Sequence, residues 1–104
     1  MKELSKGSKY ELRNLINEQS TGQQLLFAKF APESPGSKNL VPVHDGTTNE
    51  EVLKVLITRM KFQSEKLSDR YTKSAIKSLE SALKQLYKRS EKRKKRGVEG
   101  TLKR

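Results

Sequence analysis

The chain has 104 residues, 32% hydrophobic and 34% charged, with a formal net charge of +11 and no cysteine. A domain this small buries a modest share of its surface and gains by borrowing core from a second copy. The composition excludes a disulfide frame and a cysteine-rich zinc site, the single His44 excludes a histidine cluster, and no apolar run is long enough to span a bilayer.

In chain order, Ser8 and Glu11 have capping-box spacing, and Leu12, Leu15 and Ile16 then share one helical face. This predicts a short helix over about residues 8–19, stopped by Gly22. The stretch Gln23 to Phe30 reads as a strand, Pro32, Pro35, Gly36 and Ser37 as a loop, and Leu40 to Val43 as a second extended segment. A β-hairpin over about residues 23–44 follows, with Pro42 at an edge or bulge. Asp45-Gly46 makes a turn, and Thr47 or Thr48 caps a helix to about Lys66, with Glu50 and Glu51 in its first turn. Leu53, Leu56, Ile57, Met60 and Leu67 form one face of that helix. Ser68-Asp69 is a break and a new cap. A longer helix from about Arg70 to Arg96 carries Ala75, Ile76, Leu79, Ala82, Leu83, Leu86 and Tyr87 as an apolar stripe. The two-residue connection makes the pair an antiparallel hairpin.

The expected class is therefore α+β: a short N-terminal helix, a small β-hairpin and a long antiparallel C-terminal helical hairpin. We expect one domain, with residues 1–46 holding the helix and β-hairpin, 47–96 the helical hairpin, and 97–104 a C-terminal motif and tail. The N-terminus has no secretory signal, so a cytoplasmic protein is expected. The charge points to anionic partners: nucleic acid, nucleotides or a membrane surface.

Two features of the helical hairpin invite function. Val55 and Phe62 project roughly 180° from the Leu53 side, by the 100° step per residue. Phe62 then either packs under the N-terminal elements or serves as an oligomer seam or base-stacking platform. On the last helix, Arg89, Arg93 and Arg96 fall within about 60° of Ala75, while Lys88, Lys92 and Lys95 point away. The helix dipole accounts for cations at this end, but not for the sorting. Arginine suits phosphate because its planar fork binds in bidentate fashion and its plane stacks on bases. The second helix exceeds the first by roughly eight residues, or about 12 Å, so its arginine-rich end overhangs. If ring and arginines serve one pocket, two chains must build it. Gly97 then ends the helix, and Gly97-Val98-Glu99-Gly100-Thr101 allows close backbone approach, with Thr101 able to donate and Glu99 able to accept.

The run Asp45-Gly46-Thr47-Thr48-Asn49-Glu50-Glu51-Val52-Leu53, then Leu56 to Met60, Leu79 to Leu83, and Lys88-Arg89-Ser90 through Arg93 to Arg96-Gly97-Val98-Glu99-Gly100-Thr101 carries a likeness. It resembles the C-terminal helical hairpin of phage anti-defence "sponge" proteins, the anti-Thoeris and anti-CBASS proteins, over about residues 45–101. The strand-like segment ahead of it is more similar to the anti-Thoeris branch. The resemblance implies sequestration, without cleavage, of cyclic nucleotide immune messengers: cyclic ADP-ribose isomers in one branch, cyclic di- or trinucleotides in the other. It implies a homo-oligomer, dimer or hexamer, with pockets between subunits and no cofactor, acting in the host cytoplasm. It implies ligand contacts by Phe62, Arg70, Thr72, Arg89, Ser90, Arg93 and Arg96, and a separate trinucleotide pocket at Gly97, Val98, Glu99, Gly100 and Thr101. Thr72 stands where the family commonly has Asn, and Ser90 where it has Thr.

The leading expectation is a non-enzymatic binding protein. A small basic phage nucleic-acid-binding protein, meeting phosphates with its lysine face, is the alternative. A messenger hydrolase is a third reading, for which His44 has no evident acid–base partner.

Overall fold

The structure, a computed structural model, describes residues 1–67 and 69–96, with side chains as far as Lys92. The chain folds as two compact units, one spanning Met1–Thr48 and the other beginning at Asn49.

The first unit is all β. Strands β1 (Lys2–Ser5), β2 (Lys9–Glu11) and β3 (Gln24–Leu26) form an antiparallel sheet in sequence order. Strands β4 (Lys29–Pro32) and β5 (Leu40–His44) form an antiparallel pair. No N-terminal helix exists, which corrects the expectation for residues 8–19. Gly7, at φ 74°, turns the chain between β1 and β2. Ser8 closes that turn: its N–H donates to the Ser5 carbonyl, and its own carbonyl accepts from Phe27 N–H at 2.7 Å. Ser8 is thus a buried turn residue, not a helix cap. The physical reason is Tyr10. In a strand it pairs with Leu25 and packs edge-on against Phe27 at 5.9 Å. An isolated helix of this length has no comparable contact to stabilise it. Leu15 and Ile16, assigned to a helical face, stand 92% and 94% exposed on the loop between β2 and β3.

The expected strand over residues 23–30 is divided between the two sheets. β3 pairs back to β2, while β4 pairs forward to β5. At the junction Thr47 lies parallel to Phe27: Thr47 N–H donates to the Leu26 carbonyl at 2.7 Å, and Ala28 N–H donates to the Thr47 carbonyl at 2.9 Å. Gly46 permits this approach. A Cβ there would fall 2.5 Å from the Leu26 carbonyl oxygen and 2.6 Å from Ala28 N. The β4–β5 hairpin matches the proline logic. Pro35 and Gly36, at φ 81°, occupy the centre of a turn closed by Ser37 N–H to the Ser34 carbonyl. Pro42 sits beside the bulge, with Phe30 opposite Pro42 and Lys29 opposite His44.

The second unit is the helical hairpin, α1 (Asn49–Lys66) and α2 (Arg70–Arg96). Thr48 precedes α1 in the capping position, and Glu50 and Glu51 lie in the first turn. The seam repeats at three- and four-residue steps. Leu53, Ile57 and Met60 on α1 face Ile76, Leu79, Leu83 and Leu86 on α2, all buried or half-buried. Ile57 and Ile76 are the two apolar side chains with under a tenth of their surface exposed among the described residues. Leu56, Leu67, Ala82 and Tyr87, read as parts of the apolar faces, are exposed. No described helix is long and apolar enough to cross a membrane.

Candidate functional site

Two interhelical contacts set the register of α1 against α2. Lys61 Nζ meets Glu80 Oε2 at 3.0 Å, and Lys54 Nζ lies 5.7 Å from the Tyr87 ring centre. Carried to its first residue, Asn49, α1 ends level with about Lys92 at the 1.5 Å rise both helices share. The backbone of Arg93 to Arg96 therefore extends past the start of α1 by one turn, about half the overhang that helix lengths alone suggested.

Phe62 is 55% exposed, on the face of α1 turned away from α2. It is not a core residue of this chain. Lys66 stands over its ring, with Nζ 5.3 Å from the ring centre. Val55, one heptad earlier, is exposed on the same side. An open aromatic face flanked by an ammonium can accept a planar, electron-poor or anionic group.

Thr72 sits in the first turn of α2, half-buried. Asp69 Oδ1 accepts the Thr72 backbone N–H at 2.8 Å, and Asp69 Oδ2 accepts the Thr72 hydroxyl proton at 3.2 Å. Asp69 is the N-cap; Ser68, named with it, lies outside the described residues. The Thr72 N–H, the Thr72 hydroxyl and the Tyr71 N–H hold the Asp69 carboxyl below its ordinary value. Arg70 is engaged with its neighbour: Nη2 donates to the Tyr71 hydroxyl at 2.9 Å, and the guanidinium lies 4.9 Å from the ring centre.

Arg89 is exposed and Ser90 half-buried. Ser90, not Arg89, continues the buried line of Ile76, Leu79, Leu83 and Leu86; Arg89 flanks it beside Ala82 and Gln85. The reason is that helix packing centres on the Ile76–Leu83 diagonal rather than on Ala75. Arg89 borders a shallow hollow with Gln85, Lys88, Glu91 and Lys92. The side chains of Arg93 and Arg96, and all of Gly97 to Thr101, lie outside the described residues.

One copy of the hairpin does not bring these residues together. Thr72 and Arg89 lie about 25 Å apart along α2, at 1.5 Å per residue. Phe62, on the other helix, faces outward near the Thr72 end. No group of three or more His, Asp or Glu side chains that could hold a metal ion occurs among the described residues. His44 Nδ1 lies 3.1 Å from the Asp45 carbonyl oxygen, for which it must be the donor.

Sequence reasoning missed the Lys54–Tyr87 pair. The Tyr87 hydroxyl, accepting a hydrogen bond, and the Glu51 carboxylate hold Lys54 above the usual lysine value. Helical spacing had counted Tyr87 as part of the apolar seam. The available signal was its place at the seam's edge, where an aromatic body packs and a polar tip stays wet.

This chain is similar to a phage protein. The relative, from Bacillus phage SBSphiJ7, is named Thoeris anti-defense 1. Identity is 43% over 58 residues, which is 55% of this chain and 41% of the relative. The match thus spans less than half the relative's length. No protein-family model and no solved structure matches the chain.

Proposed function

We propose that this chain is a phage anti-Thoeris protein that binds and sequesters a cyclic nucleotide immune messenger without cleaving it, in the host cytoplasm. Cyclic ADP-ribose isomers are the first ligand class and cyclic di- or trinucleotides, as in CBASS signalling, the second. The observation that carries the reading is the 43% identity to Thoeris anti-defense 1. The exposed ring of Phe62 and the exposed guanidinium of Arg89 agree with it, since they offer stacking and charge-assisted hydrogen bonds to a base and a phosphate. Because the two residues are far apart in one hairpin, the pocket belongs to an oligomer, with Phe62, Arg70 and Thr72 of one chain meeting Arg89, Ser90, Arg93 and Arg96 of another. Residues 97–101 serve a second pocket in this reading.

The test is recovery of the ligand. The protein is incubated with a cyclic ADP-ribose isomer, filtered free of unbound ligand and heat-denatured. Intact messenger returning in the supernatant supports sequestration; an opened product would make the protein a hydrolase.

Exposed Lys73, Lys77, Lys84, Lys88 and Lys92 on α2 favour nucleic acid as the second reading. Binding through six or more such cations weakens by orders of magnitude between about 50 and 200 mM salt. A messenger held in an arginine pocket keeps most of its affinity over that range.

A further inference from the structure

The open groove between α1 and α2 at Lys54 and Tyr87 is separate from every residue assigned to the messenger. Its floor is apolar, formed by Ile57 and Leu83. Its walls come from both helices: Lys54 and Thr58 from α1, Glu80, Lys84 and Tyr87 from α2. The groove is shallow and open to solvent, with a volume of about 450 Å³.

The charges are not equivalent. Glu80 is paired with Lys61 at 3.0 Å, across the seam. Lys54 stands beside the Tyr87 ring, and its nearest ion-pair contact, Glu51, is 3.9 Å away. Lys84 makes no ion pair among the described residues. Two ammonium groups on opposite helices thus border an apolar floor with a tyrosine ring at one end. The Thr58 hydroxyl adds a donor. A bare phosphate would leave the floor unused, and an uncharged aromatic would leave Lys84 without an ion pair.

We infer that this interhelical groove is a binding site for a planar aromatic group carrying a phosphate, with the ring over Ile57 and Leu83 against Tyr87 and the phosphate between Lys54 and Lys84. The chemical class is a phosphomonoester that also bears a planar aromatic ring, of which a nucleoside monophosphate, with base and phosphate joined through ribose, is the available example. The site lies within one hairpin and needs no second copy, which distinguishes it from the messenger pocket proposed above.

The experiment titrates the full chain with AMP, adenosine and ribose 5-phosphate, reading the methyl resonances of Ile57 and Leu83 and the ring protons of Tyr87. AMP is expected to shift all three, and adenosine and ribose 5-phosphate to bind at least about tenfold more weakly, each lacking half of the recognition. Lys54→Ala and Lys84→Ala are each expected to weaken AMP about tenfold or more, while Lys38→Ala, on the β4–β5 loop of the first unit, leaves it unchanged. All three lysines are exposed, so these variants keep their helical circular dichroism. Equal binding of ribose 5-phosphate and AMP would overturn the inference, because the floor would then play no part. So would AMP shifts that persist in both groove variants. Shifts at Ile57 and Leu83 that follow protein concentration rather than AMP would reassign the groove to self-association, and would also overturn it.

Discussion

Asp69 holds Thr72 twice, through its backbone N–H at 2.8 Å and its hydroxyl at 3.2 Å. The residue that the phage-family resemblance places at the ligand thus already spends its hydroxyl proton on the cap. What remains for a ligand is the oxygen as an acceptor, so a Thr72 contact would favour a donor on the messenger, such as a base amine or ribose hydroxyl.

The cap makes hairpin stability depend on pH. The Asp69 carboxyl is held below its ordinary value near 3.8 by the Thr72 N–H first, then by the hydroxyl and the Tyr71 N–H. A group whose folded value is depressed contributes stability above its unfolded value and loses it as pH falls through the folded one. Asn keeps the capping geometry without the titration. Thermal unfolding of wild type and Asp69→Asn is expected to differ above about pH 5 and to converge as pH falls from 3.8 through the depressed folded value. A difference that stays constant with pH would remove the carboxylate from this role.

Gly46→Ala strikes the first unit alone. The new methyl would lie 2.5 Å from the Leu26 carbonyl oxygen and the Phe27 carbonyl carbon. The backbone must shift and weaken the Thr47 bridge, at about 1–3 kcal/mol by analogy with overpacked cores. Amide exchange should accelerate at Ala28 and Thr47, with the α-helical signal of the second unit unchanged.

The hairpin rests on very little buried surface. Ile57 and Ile76, at 7% and 8% exposure, are its most enclosed apolar side chains among the described residues. Either one changed to Ala is expected to lose about 2–5 kcal/mol, a large share of the stability of so small a unit. Val55→Ala, on the open side of α1, is expected to stay within about 0.5 kcal/mol. Chemical denaturation followed by circular dichroism at 222 nm compares the three.

For the messenger reading, Phe62→Ala is expected to weaken binding by about 1–3 kcal/mol through lost stacking. Arg89→Ala is expected to lose about 1.5–3 kcal/mol through a lost charge-assisted hydrogen bond. Neither should unfold the protein, since both side chains are exposed. Mixing the two variants tests the shared pocket. In a two-fold assembly, random exchange restores about a quarter of the sites, because a mixed pair carries one intact pocket and one doubly damaged one. A mixture as inactive as its components would place both residues within a single chain's site.

The helical hairpin was legible in the sequence because its signals are local. Leu53, Ile57 and Met60 repeat at the helical period, and so do Ile76, Leu79, Leu83 and Leu86. Asp69 stands where a cap belongs. Proline and glycine likewise announced the Ser34–Ser37 turn. Tertiary pairing decided the rest. Ser8 and Glu11 have the spacing of a capping box, yet Tyr10 is drawn into a strand by Leu25 and Phe27, more than a dozen residues away. Strands of three to five residues carry too few positions for their period to show. The division of residues 23–30 between two sheets depends on where Thr47 lands, which no local pattern encodes. At the hairpin, periodicity placed Arg89 near the seam, but only packing showed Ser90 in line and Arg89 beside it. A helical wheel gives directions about one axis; where the seam runs is decided by the helix that packs against it.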